Sequence, residues 1–169
     1  MEQKLETKET LREKMINFFR FHKAKIFILL CIILIISITT IFIQQKKEKN
    51  DILIAEKYVQ AVLNLSQNKE SKAKNLLDEI ILSGNKFYSV LALNKIIEKN
   101  LENKNEKILE YFNILENLDF NEDELDLLKF KKALFLLKIS KNLEGNNLLE
   151  RLIKKDSKFK KLAEESIFN

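Results

Sequence analysis

After Asp51, apolar residues recur at spacings of three and four, the period of helices that bury one face. The pattern predicts helices over 51–67, 70–83, 87–101, 104–118, 122–141, 143–155 and 158–168. Short clusters of Asn, Lys, Ser and Gly separate them, as expected for antiparallel neighbours joined by tight connections. Upstream the pattern changes. From Ile26 to Gln45 (IFILLCIILIISITTIFIQQ) no residue is charged. These 20 residues would span about 30 Å as a helix, the thickness of a bilayer's hydrocarbon core. Ser37, Thr39 and Thr40 can return their hydroxyls to backbone carbonyls one turn back, which lipid tolerates. A core helix of this length would keep a polar face. A cleaved signal peptide would have a shorter apolar run followed by small residues, whereas this one closes on Thr39-Thr40-Ile41-Phe42-Ile43. The segment therefore reads as an uncleaved, single-pass signal anchor whose helix continues into the first soluble one.

The soluble helices repeat. Ala61, Ile96 and Ala133 lie 35 and 37 residues apart. The same offsets link Tyr58, Leu93 and Phe130, then Ala73, Ile108 and Gly145, then Leu77, Phe112 and Leu149, then Ile80, Leu115 and Leu152. A period near 34 is the tetratricopeptide length. Small residues at Ala61, Ala73, Ala133 and Gly145 suit close helix crossings, although Ile96 and Ile108 break that rule. The expected fold is all-α: one transmembrane helix, then about three antiparallel helical hairpins of tetratricopeptide type, then a terminal capping helix. A non-repetitive helical bundle stays open as the alternative, because leucine-rich helices match one another easily. The chain divides into a segment 1–25, a transmembrane helix 26–45 and a helical domain 46–169.

Composition narrows the chemistry. Proline is absent and only Gly84 and Gly145 are glycine, so long helices are favoured over loops. Cys31 is the one cysteine and His22 the one histidine, and neither lies in the soluble domain. A Cys/His metal cluster or a Cys-His nucleophile pair is thereby excluded there. The net charge of +5 splits into +3 over 1–25 and +2 over 46–169. The soluble domain mixes both signs and shows no concentrated basic patch of the kind nucleic acid requires.

Seven Lys/Arg precede the anchor, and Lys46, Lys47, Lys49 and Lys57 follow it closely. The positive-inside rule then places the N-terminus in the cytoplasm and the helical domain outside, in the periplasm of a bacterium. The amphipathic stretch Leu11–Phe21 is expected to lie on the inner leaflet. Lys46-Lys47-Glu48-Lys49 could touch anionic lipid, but lysines usually flank a membrane helix.

Asp119-Phe120-Asn121-Glu122-Asp123-Glu124-Leu125-Asp126 is the most site-like run, offering oxygens to a hard cation. It lacks the alternating spacing and turn glycine of a calcium loop. The preferred reading is a helix start, with Asn121 as the cap, Glu124 closing a capping box and the acids facing the positive helix end. Acid pairs such as Asp78-Glu79 and Glu164-Glu165 point about 100° apart on a helix and do not converge. Two glycines cannot build a phosphate loop or a nucleophile elbow. No catalytic, cofactor or metal residue is assigned, no cofactor is expected, and the residues of any binding groove stay unnamed. A membrane-anchored enzyme is disfavoured.

The layout resembles the YfgM-like family, ancillary subunits of the bacterial SecYEG translocon. The likeness rests on a short charged N-terminus, Phe18-Phe19 before the anchor, and one transmembrane helix. A helix with Ala55 and Ala61 follows, and Tyr88-Ser89-Val90-Leu91-Ala92-Leu93 opens the next hairpin. The chain departs from the family in being poorer in alanine and in ending at Phe159–Asn169, the first helix of a further repeat. The resemblance implies a tetratricopeptide-like periplasmic domain. It also implies translocon subunits, periplasmic chaperones or emerging polypeptides as partners. The rival function is a scaffold for envelope assembly or division.

Overall fold

The computed structural model describes residues 11–167, with every side chain from Leu30 onward. Among them are seven helices and no strand: α1 (Leu11–Ser66), α2 (Glu70–Leu82), α3 (Lys86–Glu98), α4 (Asn105–Glu116), α5 (Glu122–Lys138), α6 (Asn142–Lys154) and α7 (Lys160–Ile167). The fold is all-α, as the periodicity requires. Two compact units meet at Lys49 and Asn50, and α1 supplies residues to both.

In the first unit, α1 is long and apolar enough to cross a membrane, and no part of its apolar window is covered by protein. A core helix would be covered. The hydroxyls turn inward as lipid demands. Ser37 donates to the Ile33 carbonyl at 2.9 Å, Thr39 to those of Ile35 and Ile36 at 3.0 and 2.8 Å, and Thr40 to that of Ser37 at 2.8 Å. The stretch 11–21 is helical and continuous with the apolar run. Residues 1–10 of the N-terminal segment, and Phe168 of the last helix, lie outside the described residues.

In the second unit the repeat register is the packing register. Of the fifteen positions in the five sets, all but the half-buried Tyr58 are buried. A sixth set joins them at the same offsets: Ile54, Ser89 and Asp126, with Ala163 a further 37 residues on. All four are buried. Ala163 places α7 in register as the first helix of a fourth repeat. A polar rung recurs as well. Asn85 donates to Asp51 at 2.8 Å, Lys86 to Asp119 at 3.4 Å, and Lys158 pairs with Asp123. Asp51, Lys86 and Asp123 are themselves spaced 35 and 37. Each ties one first helix to the approach or the start of the next.

The core forms two clusters. The larger holds Ala61, Leu77, Ile80, Leu93, Ile96, Tyr111, Phe112 and Leu115, and takes Leu128 and Phe135 from α5. The smaller holds Phe130, Ala133, Leu149, Leu152 and Ala163, with Phe159 and Ile167 against it. Helix α5 is therefore wedged between them. The α5–α6 crossing is close: a Cβ at Gly145 would lie 2.8 Å from Leu137 Cδ2 and 3.1 Å from the Ala133 carbonyl oxygen. Phe159 stacks on Phe130 with ring centroids 6.0 Å apart. The terminal helix thus caps the last hairpin through Phe159, Ala163 and Ile167, whereas its Leu162 is exposed.

Helices α3 and α5 stop three residues short of their expected ends. The cause is a left-handed residue after each, Asn100 and Ser140. Leu101 and Lys141 then turn back to donate to the carbonyls of Ile96 and Leu136. The same closure follows α1 at Asn68 and α6 at Asp156, with Lys69 and Ser157 bonding Asn64 and Leu152. Asn and Asp tolerate this conformation and satisfy the last carbonyls where glycine is scarce. Leu101, read from sequence as the end of a helix, packs on the core from the turn instead.

Candidate binding groove

The acidic run is a helix start. Asn121 Oδ1 accepts from the Glu124 N–H at 2.9 Å and Glu124 Oε2 accepts from the Asn121 N–H at 3.0 Å, a complete capping box. The other acids are taken: Asp119 by Lys86, Asp123 by Lys158, and Glu122 and Asp126 by Lys155. Asp126 is the one buried carboxylate among the described residues, 3% exposed. Burial pushes its carboxyl up, but hydrogen bonds to Ser157 and Lys155 prevail and hold it below the ordinary carboxylate value. Its register partner Ser89 donates to the Ile80 carbonyl at 2.8 Å, tying α3 to the end of α2. Both are structural. Asp78 and Glu79 diverge as expected, Asp78 to Lys74 and Tyr111, and Glu79 to Lys57. Burial and the Asp78 contact push the Tyr111 hydroxyl far above its ordinary value, so it acts as a fixed donor.

The groove lies elsewhere, between α3 and α5. A cavity of about 360 Å³ is lined by Phe87, Val90, Leu91, Phe120, Leu127 and Leu128, with Lys86, Asn94, Glu124 and Lys131 at its polar edge. A second of about 320 Å³ is lined by Asn94, Ile97, Glu98, Phe112, Lys131, Leu134, Phe135 and Lys138. Asn94 and Lys131 line both, so the two are successive halves of one trough along the helices. Volumes of this size and mostly apolar walls suit a ligand. Phe87 is 66% exposed, Leu134 40% and Leu127 37%.

The repeat explains the alignment. Phe87, Val90, Asn94 and Ile97 lie 37 residues before Glu124, Leu127, Lys131 and Leu134. Equivalent positions on adjacent repeats face one another, and Lys131 Nζ donates to Asn94 Oδ1 at 3.2 Å. The α1 positions 35 residues before Phe87, Asn94 and Ile97 are Ile52, Val59 and Val62, all exposed. The sequence reading assigned none of these residues to a groove. The offsets that found the core also index the groove, one arc further round each first helix.

Charge in the trough is uneven. Glu98 is paired with Lys95 and Lys99, and Glu124 is held by its cap. Lys131 is half-buried and makes no ion pair among the described residues, and burial alone pushes its ammonium down from the ordinary lysine value. No family model, curated protein or solved structure matches the chain.

Proposed function

We propose that this chain is a membrane-anchored helical-repeat binding protein that holds a segment of another polypeptide in the α3–α5 trough. The observation that carries the reading is the exposed apolar lining, Phe87, Leu127 and Leu134, on helices whose inner faces are already buried. Large exposed apolar residues grouped in a cavity mark an interaction site. Anchoring through α1 raises the concentration of the trough at the membrane. The lysine bias before the anchor supports a cytoplasmic N-terminus and a periplasmic helical domain. The layout shared with the YfgM-like family supports a role as an accessory subunit of the export translocon, linking it to periplasmic chaperones.

Copurification from mild detergent tests the partner. Translocon subunits and periplasmic folding factors are expected; recovery of cell-wall proteins alone would replace this reading with the envelope-scaffold one. A reporter active only in the periplasm, fused after Asn169, is expected to be active. A silent reporter would reverse the topology.

A further inference from the structure

Lys131 sits at the middle of the trough, where the two cavities meet, and this placement says what the occupant carries. The side chain is half-buried, and among the described residues its ammonium donates to the neutral oxygen of Asn94 and to no carboxylate. The carboxylates that line the same cavities, Glu98 and Glu124, are held by other groups. Lys138, at the far end, has no ion pair among the described residues either. A lysine desolvated without a carboxylate is unfavourable in the empty trough, and an anion arriving with the ligand would relieve that. The walls on both sides of Lys131 are apolar: Phe87 and Leu127 on one side, Ile97 and Leu134 on the other.

Resting on the binding role proposed above, we infer that the trough takes an extended polypeptide segment in which one Asp or Glu side chain is flanked on both sides by apolar residues. The carboxylate meets Lys131, and the flanking side chains fill the two halves. An internal carboxylate fits better than a chain terminus. A C-terminal carboxylate placed on Lys131 would end the chain there and leave half of the apolar wall uncovered. Phe87 and Ile97 are ten residues apart on α3, a rise of about 15 Å, which an extended strand covers in about five residues.

The test uses the full chain in lipid nanodiscs and fluorescent five-residue probes with both ends blocked. Leucine and valine surround a central glutamate, glutamine or lysine. The glutamate probe is expected to bind about tenfold tighter than the glutamine probe, the scale of one charge-assisted hydrogen bond. Lys131→Met should abolish that gap with an unchanged melting curve, Lys131→Arg should keep it, and Lys131→Glu should shift preference to the lysine probe. Equal binding of glutamate and glutamine probes would overturn the inference and leave the polypeptide-binding trough standing. Binding of none of the probes would remove both. A probe ending in a free carboxylate, or a fatty acid such as laurate, that outcompetes the glutamate probe would overturn it in favour of end capture or lipid binding.

Discussion

Helices α2, α4 and α6 are strongly amphipathic, with one apolar stripe buried and the opposite face charged. Helices α3 and α5 instead carry apolar residues on more than one face. On α3 the inner arc is Ser89, Ala92, Leu93 and Ile96, all buried, while Phe87 stands open. On α5, Leu128 and Phe135 enter one core cluster and Phe130 and Ala133 the other, while Leu127 and Leu134 stay exposed. A second helix of each hairpin needs one stripe, because it packs only inward. The first helices carry further apolar residues that the described fold leaves partly open. Stability therefore accounts for one set of apolar residues, and the proposed binding role accounts for the other.

Variants on the two arcs should separate these roles. Deleting 158–169 uncovers the smaller core at Phe130 and Ala133, and should cost several kcal/mol, since each large apolar side chain removed from burial is worth about 1.5–3 kcal/mol. An intact melting curve would make α7 a free segment and not a cap. Leu93→Ala on the inner arc should cost about 2–5 kcal/mol, whereas Phe87→Ala, six residues away, should stay within about 0.5 kcal/mol; similar losses in chemical denaturation would erase the distinction between the arcs. Gly145→Leu drives a side chain into Leu137 and the α5 backbone and should cost about 3 kcal/mol. An unchanged melting temperature there would argue against the close crossing.

Asp126→Asn probes the polar exception on the inner arc and should cost about 1.5 kcal/mol at neutral pH. Its carboxyl is depressed in the folded chain. The stabilisation it gives is therefore complete above the unfolded value of about 4 and is lost as pH falls through the lower folded value. The native chain should lose stability over that acid window, and Asp126→Asn should lose less. Parallel acid limbs in the two melting profiles would contradict the assignment.

Periodicity located the helices, the close crossing at Gly145 and the capping box at Asn121, because each depends on residues near in sequence or on a period that local pattern carries. The trough was hidden for a physical reason. Where apolar residues fall on more than one face of a helix, the pattern reveals a helix but not which arc its neighbours leave open. Phe87 and Leu93 look alike in sequence, and only packing separates them. Ser89 and Asp126 were hidden differently: their partners, the Ile80 carbonyl and the Lys155 and Ser157 side chains, come from other elements. The short ends of α3 and α5 depended on left-handed turns at Asn100 and Ser140, which hydropathy does not register.

The most direct measurement of the central claim is one triple variant, Phe87→Ser, Leu127→Ser and Leu134→Ser, made in the full chain and followed by melting and by copurification. If the outer arc is a binding surface, the melting temperature stays within a few degrees of the native chain and the captured polypeptide is lost. A collapsed melting temperature would show that the arc is part of the core, and retention of the partner by a stable variant would place binding elsewhere on the molecule.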